Sequence, residues 1–221
     1  MNFATVLRLV DLKRDDGWDF RYTTPYFWKL MADKLGVGLF AVMSDENFEK
    51  ICNQCDGLIV PGSSNDINPS YWGGEPFKEQ FCDEYPLDAK LIRYFMEKGK
   101  PIIGICGGLQ SINVCLGGSL KNVAGHNEDK KYHNINIDKD SFLYDAFKSE
   151  KASVNTYHSW AIDKVAPNLR VVATSDDGVI EAVEWKEKRI FAMQWHPERS
   201  FEEKESLEHK IFENFINICK G

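Results

Sequence analysis

The chain has 221 residues, with 27 Lys and Arg against 34 Asp and Glu and a formal net charge of −7. An acidic chain without a basic run offers no electrostatic footprint for nucleic acid or an anionic membrane, and no apolar stretch approaches the ~18 residues of a bilayer span. The length suits one well-buried domain, residues 1–221, and is short for two. Six cysteines in a chain of this size do not read as a disulfide scaffold, and a reactive thiol calls for a reducing compartment, so a cytoplasmic protein is expected.

In chain order, the start MNFATVLRLVDLKR lacks a basic segment ahead of its apolar residues and reads as a first strand, Phe3–Val10, not a signal peptide. A helix follows near Thr24–Leu35, started by Thr23-Thr24-Pro25. Trp18, Tyr22, Tyr26 and Trp28 form an aromatic group at this first connection, which helix packing accounts for. A strand at Gly38–Met43, a helix at Asp45–Ile51 and a strand at Gly57–Val60 come next. Between the last two, Cys52-x-x-Cys55 resembles half of a zinc site, but no second CxxC or HxxxH completes four ligands, so packed thiols are expected there. A helix spans about Pro86–Lys98, and Pro101–Ile105 reads as a buried strand feeding a helix over Leu109–Leu116. This strand–helix alternation predicts a mostly parallel α/β sheet with helices on both faces.

After Gly117-Gly118 the pattern turns to short strands, Ile135–Ile137, Val171–Ser175, Val179–Trp185 and Arg189–Gln194. Asp176-Asp177-Gly178 and Lys186-Glu187-Lys188 read as hairpin turns, which adds antiparallel strands in the C-terminal half. His126 and His133 flank a hydrophilic stretch, 127–131, that reads as an exposed loop. Asp15-Asp16 and Asp176-Asp177 read as solvated turn charges. A final helix over about Phe201–Cys219 sets Leu207, Ile211, Phe215 and Ile218 along one face.

Three segments carry chemistry. Gly104-Ile105-Cys106-Gly107-Gly108 joins the buried strand to its helix as a nucleophile elbow. Glycines flank the nucleophile because the turn brings two backbones too close for Cβ atoms, and the helix N-terminus favours a thiolate. Ninety residues on, Gln194-Trp195-His196-Pro197-Glu198 places an imidazole and a carboxylate two residues apart. In an extended strand those side chains share a face, which supplies a proton acceptor for Cys106 and a group to orient it. Between them in logic stands Pro61-Gly62-Ser63-Ser64-Asn65, a turn leaving a strand. Its free N–H groups, with that of Gly107, are placed to hold an oxyanion.

With PGSSNDINPSYWG, GKPIIGICGGLQSINVCLGGSL, VNTYHSW and EAVEWKEKRIFAMQWHPE, the chain resembles the class I glutamine amidotransferase-like family, γ-glutamyl-γ-aminobutyrate hydrolase branch (the C26 peptidase group). It departs from that branch at Gly107, where Arg is usual, and at Ser63-Ser64, where many members carry a glycine run. The resemblance implies a γ-glutamyl thioester on Cys106, with His196 and Glu198 completing a triad and oxyanion donors at Gly62 or Ser63 and Gly107. It also implies that Gln110, Tyr157, His158 and Ser159 hold the glutamyl α-amino and α-carboxylate groups. The expected substrate is a small γ-glutamyl compound, with no metal or organic cofactor. The amine leaving group stays open. So do a homodimer and a second reading, in which the chain is a glutaminase subunit supplying ammonia to a partner synthetase.

Overall fold

A computed structural model describes residues 1–14 and 17–221, the side chains of 13, 14, 17, 18 and 128–131 excepted. Asp15-Asp16 and the Trp18 side chain therefore lie outside the described residues. In chain order the strands are β1 (Asn2–Val6), β2 (Arg8–Arg14), β3 (Gly17–Thr23), β4 (Gly38–Val42), β5 (Gly57–Val60), β6 (Ile102–Ile105), β7 (Ser119–Asn122), β8 (Asn127–Ile137), β9 (Lys151–Tyr157), β10 (Trp160–Lys164), β11 (Arg170–Ser175), β12 (Ile180–Trp185) and β13 (Ile190–Met193). The helices are α1 (Tyr26–Leu35), α2 (Phe48–Cys52), α3 (Tyr85–Glu97), α4 (Gly107–Cys115), α5 (Phe142–Phe147) and α6 (His209–Lys220).

Nine strands form one mixed sheet in the order β4-β1-β5-β6-β13-β12-β11-β8-β9. From β4 to β13 every pairing is parallel, and from β13 to β9 every pairing is antiparallel. The expected parallel sheet with an antiparallel extension is what the chain forms. Its parallel strands are short and apolar because both faces are covered, so successive residues enter opposite cores. Leu58, Val60 and Ile102 pack with Leu91, Ile92, Phe95, Leu109 and Ile112 of α3 and α4 on one face. Ile59, Ile103 and Ile105 pack with Trp28, Met31, Ile211, Phe212 and Phe215 of α1 and α6 on the other. The turns 176–178 and 186–188 join antiparallel neighbours, as their composition predicts.

Four expectations need correction. The first strand stops at Val6, and the chain continues as a separate hairpin, β2–β3, paired from Arg8↔Thr23 to Arg14↔Gly17. Arg8 ends the run because its guanidinium is drawn into buried carboxylates and carbonyls instead of following the sheet. The stretch around His126 and His133 is no exposed loop: β8 runs through it, paired with β9 and β11. The last helix begins only at His209. It is preceded by a 3-10 turn, Pro197–Glu202, and by the polar stretch 203–206. Leu207 is therefore exposed, while Ile211 and Phe215 are buried. Finally, helix packing does not account for the described aromatics at the first connection, Trp28 excepted. Trp28 packs edge-on against Phe212, whereas Tyr22 and Tyr26 are exposed.

Candidate active site

The elbow is built at the C-terminal edge of β6. Cys106 takes φ 51°, ψ −106°, a conformation that L-residues avoid. Two hydrogen bonds hold it there: its N–H donates to the Met193 carbonyl at 2.8 Å, and its carbonyl accepts from Gln110 N–H at 3.2 Å. Gly108 makes the turn possible. A Cβ at that position would stand 2.0 Å from the Val60 carbonyl oxygen, so only glycine lets α4 cross the end of β5 so closely.

Beside β6, strand β13 ends three residues before His196. His196 Nδ1 meets Glu198 Oε1 at 2.7 Å, as the spacing predicts, but for another reason. The two residues do not share an extended strand; His196 caps the 3-10 turn that begins at Pro197, and the turn folds the carboxylate back onto the ring. Burial disfavours the charged imidazole, yet the charges of Glu198 and Cys106 and a side-chain bond to Cys106 outweigh it, pushing the His196 pKa up to about 10. The arrangement favours an imidazolium beside the Cys106 sulfur. Glu198 Oε2 is buried without a hydrogen-bond partner among the described residues. Near it, burial and then the Glu198 charge push Glu208 up to about 7.

The Pro61–Asn65 turn closes the third side. A Cβ on Gly62 would fall 2.7 Å from His196 Cε1 and 3.4 Å from Cys106 Cβ, and one on Gly107 would fall 2.9 Å from Ser63 N. The two glycines thus bring the turn's backbone against the sulfur and the imidazole. Sequence reasoning missed what fixes this turn. Buried Arg8 donates to the carbonyls of Pro61 at 2.6 Å and Gly62 at 3.2 Å. Its guanidinium is clamped by Asp88 at 2.9 and 3.0 Å, and Ser111 Oγ donates to the same carboxylate. Burial opposes the Arg8 charge, but Asp88 more than offsets it and raises the pKa. Ser63 Oγ donates to Glu84 at 2.6 Å, which ties the turn to α3 from its other end. An arginine within an apolar run reads as one of its solvent-facing positions, so nothing in the primary structure singles out Arg8.

Two amides on opposite sides complete the surroundings. Gln194 Nε2 lies 3.6 Å from Cys106 Sγ. Asn155 of β9 accepts from His196 N–H at 2.9 Å and donates to the His196 carbonyl at 3.0 Å, fixing the backbone that carries the imidazole.

This geometry can be set beside known proteins. A family model described as Peptidase C26 matches residues 9–198. The chain belongs to the peptidase C26 family. It is 32% identical over 215 residues to the glutamine amidotransferase-like protein YvdE of Lactococcus lactis, covering 89% of this chain and 88% of that one. It is 31% identical over 194 residues to the γ-glutamyl-γ-aminobutyrate hydrolase PuuD of Escherichia coli, with 78% and 75% covered. A solved glutamine amidotransferase from Thermotoga maritima superposes with a TM-score of 0.65 at 12% identity, covering 99% of this chain and 97% of that one, which shows the shared fold. This C26 protein is accordingly a hydrolase acting on amide bonds.

Of the residues expected around the glutamyl group, Tyr157 sits edge-on to His196 with ring centroids 5.9 Å apart, and Arg199 stacks on it at 4.0 Å. Ser159 Oγ accepts from Asn127. Gln110 is buried, and its amide donates to the Trp160 carbonyl at 2.9 Å. His158 departs furthest from the expectation. It is buried with one ring nitrogen on the Trp160 carbonyl and the other turned toward Glu181, away from the role assigned to it. Cys52 and Cys55 are buried, as expected of packed thiols, and burial pushes both up to about 11.

Proposed function

We propose that this protein hydrolyses a γ-glutamyl amide through a thioester on Cys106, with His196 and Glu198 as the other members of a triad. The observation that carries the reading is a nucleophile held at φ 51°, ψ −106° beside an imidazole that is itself hydrogen-bonded to Glu198 at 2.7 Å. The thiolate attacks the γ-carbonyl carbon, and backbone N–H groups at Gly62 or Ser63 and at Gly107 receive the oxyanion. Each such donor is worth about 2.7–4 kcal/mol of barrier. The C–N bond then breaks as the His196 imidazolium passes its proton to the leaving nitrogen, which leaves a glutamyl thioester. Neutral His196 next takes a proton from water; the hydroxide displaces sulfur, glutamate departs, and the thiolate beside the imidazolium is restored. Glu198 keeps the imidazole oriented and stabilises its charged form. Support for the glutamyl specificity comes from the relatives named for γ-glutamyl-γ-aminobutyrate hydrolysis and from Tyr157 beside His196.

The test is glutamate release by the isolated protein from a panel of γ-glutamyl amides, glutamine and α-linked glutamyl peptides. The expected result is release from γ-linked substrates alone, with a glutamyl adduct on Cys106 after acid quench. Efficient cleavage of α-linked peptides, or an adduct on another cysteine, overturns the proposal. Cleavage of glutamine alone, and only beside a synthetase, assigns the protein to ammonia supply and keeps the triad.

A further inference from the structure

Behind the site, on the antiparallel side of the sheet, three histidines converge on one carboxylate. Glu181 of β12 is fully buried. Its Oε1 lies 3.4 Å from His133 Nε2, 3.5 Å from His158 Nε2 and 3.7 Å from His126 Nδ1. None of these three nitrogens, and neither Glu181 oxygen, has a hydrogen-bond partner among the described residues. Five orphaned polar atoms in one buried place carry a large desolvation cost unless something absent from the chain itself joins them.

The outer ring nitrogens say what that something is. His158 Nδ1 lies 3.0 Å from the Trp160 carbonyl, which only accepts, so Nδ1 carries the proton. His126 Nε2 lies 2.9 Å from the Asp177 carboxylate, which likewise accepts. In their neutral forms both rings therefore turn lone pairs toward the Glu181 carboxylate, and lone pairs facing an anion repel unless a cation stands between them. The separations fit a metal better than a proton. Hydrogen bonds of this type run about 2.7–3.2 Å. Tetrahedral zinc with metal–ligand bonds of about 2.0–2.2 Å sets its ligands about 3.3–3.6 Å apart; the separations from Glu181 Oε1 approach this, and the ligand atoms of His126, His158 and Glu181 all lie within 4.8 Å of one another. A ring donating its far nitrogen to a carboxylate or carbonyl is also the usual support of a metal-bound imidazole.

We propose that His126 Nδ1, His158 Nε2 and Glu181 Oε1, which lie within 4.8 Å of one another, form a zinc site. Two imidazoles and one carboxylate suit Zn²⁺, and three protein ligands leave a fourth position for water. The site ties together the segment leading into β8, the turn between β9 and β10, and β12. It revises the expectation from sequence that His126 and His133 are loop residues and that no metal is bound. It is also independent of the hydrolytic reading, because none of its ligands belongs to the triad.

The experiment strips the full-length protein with a chelator and titrates it with Co²⁺ and then Zn²⁺. The expected result is one equivalent bound, the intense visible bands of tetrahedral Co²⁺, and a zinc X-ray absorption shell of nitrogen and oxygen at about 2.0–2.1 Å without sulfur at about 2.3 Å. Asp177→Asn should weaken binding about 10–100-fold through the His126 ring, and Glu181→Gln should weaken it further. Cys106→Ser and the Cys52→Ser/Cys55→Ser pair should bind as the wild type does, which separates this site from any thiol site. No stoichiometric binding by the wild type, a sulfur-containing shell, or unchanged affinity in a folded Glu181→Gln variant overturns the proposal. If Glu181→Gln fails to fold, the wild-type titration and its absorption shell decide alone.

Discussion

The two halves of the sheet use their residues differently. In the parallel half, from β4 to β13, the interior is apolar and the chemistry sits at strand ends, on Cys106, His196 and the Pro61–Asn65 turn. In the antiparallel half, from β12 to β9, polar groups enter the interior itself: Glu181, His126 and His158 are all buried. A parallel strand sandwiched by helices has no exposed face on which to put a polar side chain, so function is driven to its carboxyl edge. The antiparallel extension is less completely covered, and its hairpins can converge several polar side chains on one point. Asn155 joins the two halves, since it stands on β9 and holds the His196 backbone from both sides.

The largest expected effect lies at the strand ends. Cys106→Ala should leave the fold intact and lower kcat by about 10⁴-fold or more, measured as glutamate release, because nucleophile and proton relay act as a unit. Retained activity in this variant would break the assignment of chemistry to the parallel half. Glu198→Gln should cost less, about 10²-fold in kcat, since it weakens the orientation and charge stabilisation of His196 but leaves the thiol–imidazole pair. Full activity would mean that another acid orients the ring, with Glu208, on which the Glu198 charge acts, a candidate.

The bridge between the halves should matter less again. Asn155→Ala removes two hydrogen bonds to the His196 backbone, each worth about 1 kcal/mol net. Part of that loss appears as misplacement of the imidazole, so kcat should fall about tenfold with KM little changed. A fall in KM-dependent terms alone, with kcat preserved, would show that Asn155 serves the substrate and not the histidine.

How much of this was legible before the structure follows the same division. Strands 57–60 and 102–105, the elbow and the His196–Glu198 pair were readable because each is encoded locally: an apolar run of the right length, glycines where backbones collide, a fixed two-residue spacing. The β2–β3 hairpin was missed because the apolar residues on either side of Val6 read as one continuous run. The strands β9 and β10 were missed for lack of a sustained alternation, and α5 because it spans only six residues, Phe142–Phe147. Arg8, Asn155 and the histidine–glutamate cluster were illegible for a deeper reason. Their partners lie 80 positions away for Arg8–Asp88 and 41 for Asn155–His196, and no local pattern records which distant group a polar side chain will meet. The histidines in particular sit among Asn, Glu, Asp and Lys, a composition that reads as solvated until β8 is seen to pair on both sides.

The smallest effect expected is on stability, and its sign follows from His196. The imidazole titrates near pH 6.5 in an unfolded chain and at about 10 in the folded one, where Glu198 and Cys106 hold its proton against burial. A group that binds its proton more tightly in the native state adds stability that is fully present below the unfolded value. That contribution is lost as pH rises through the folded value. Wild-type Tm should therefore decline from about pH 6.5 toward pH 10 by more than in Glu198→Gln, which removes the largest charge holding the proton. The gap between the two proteins should be widest at about pH 6 and close near pH 10. Parallel curves across that range would mean that Glu198 does not set the His196 proton affinity. The antiparallel half supplies the control: Asp177→Asn touches a histidine outside the triad, so its curve should keep the wild-type decline between these limits. If that variant instead flattened the decline, the effect would not belong to His196, and the assignment of this pH dependence to the strand ends would fail.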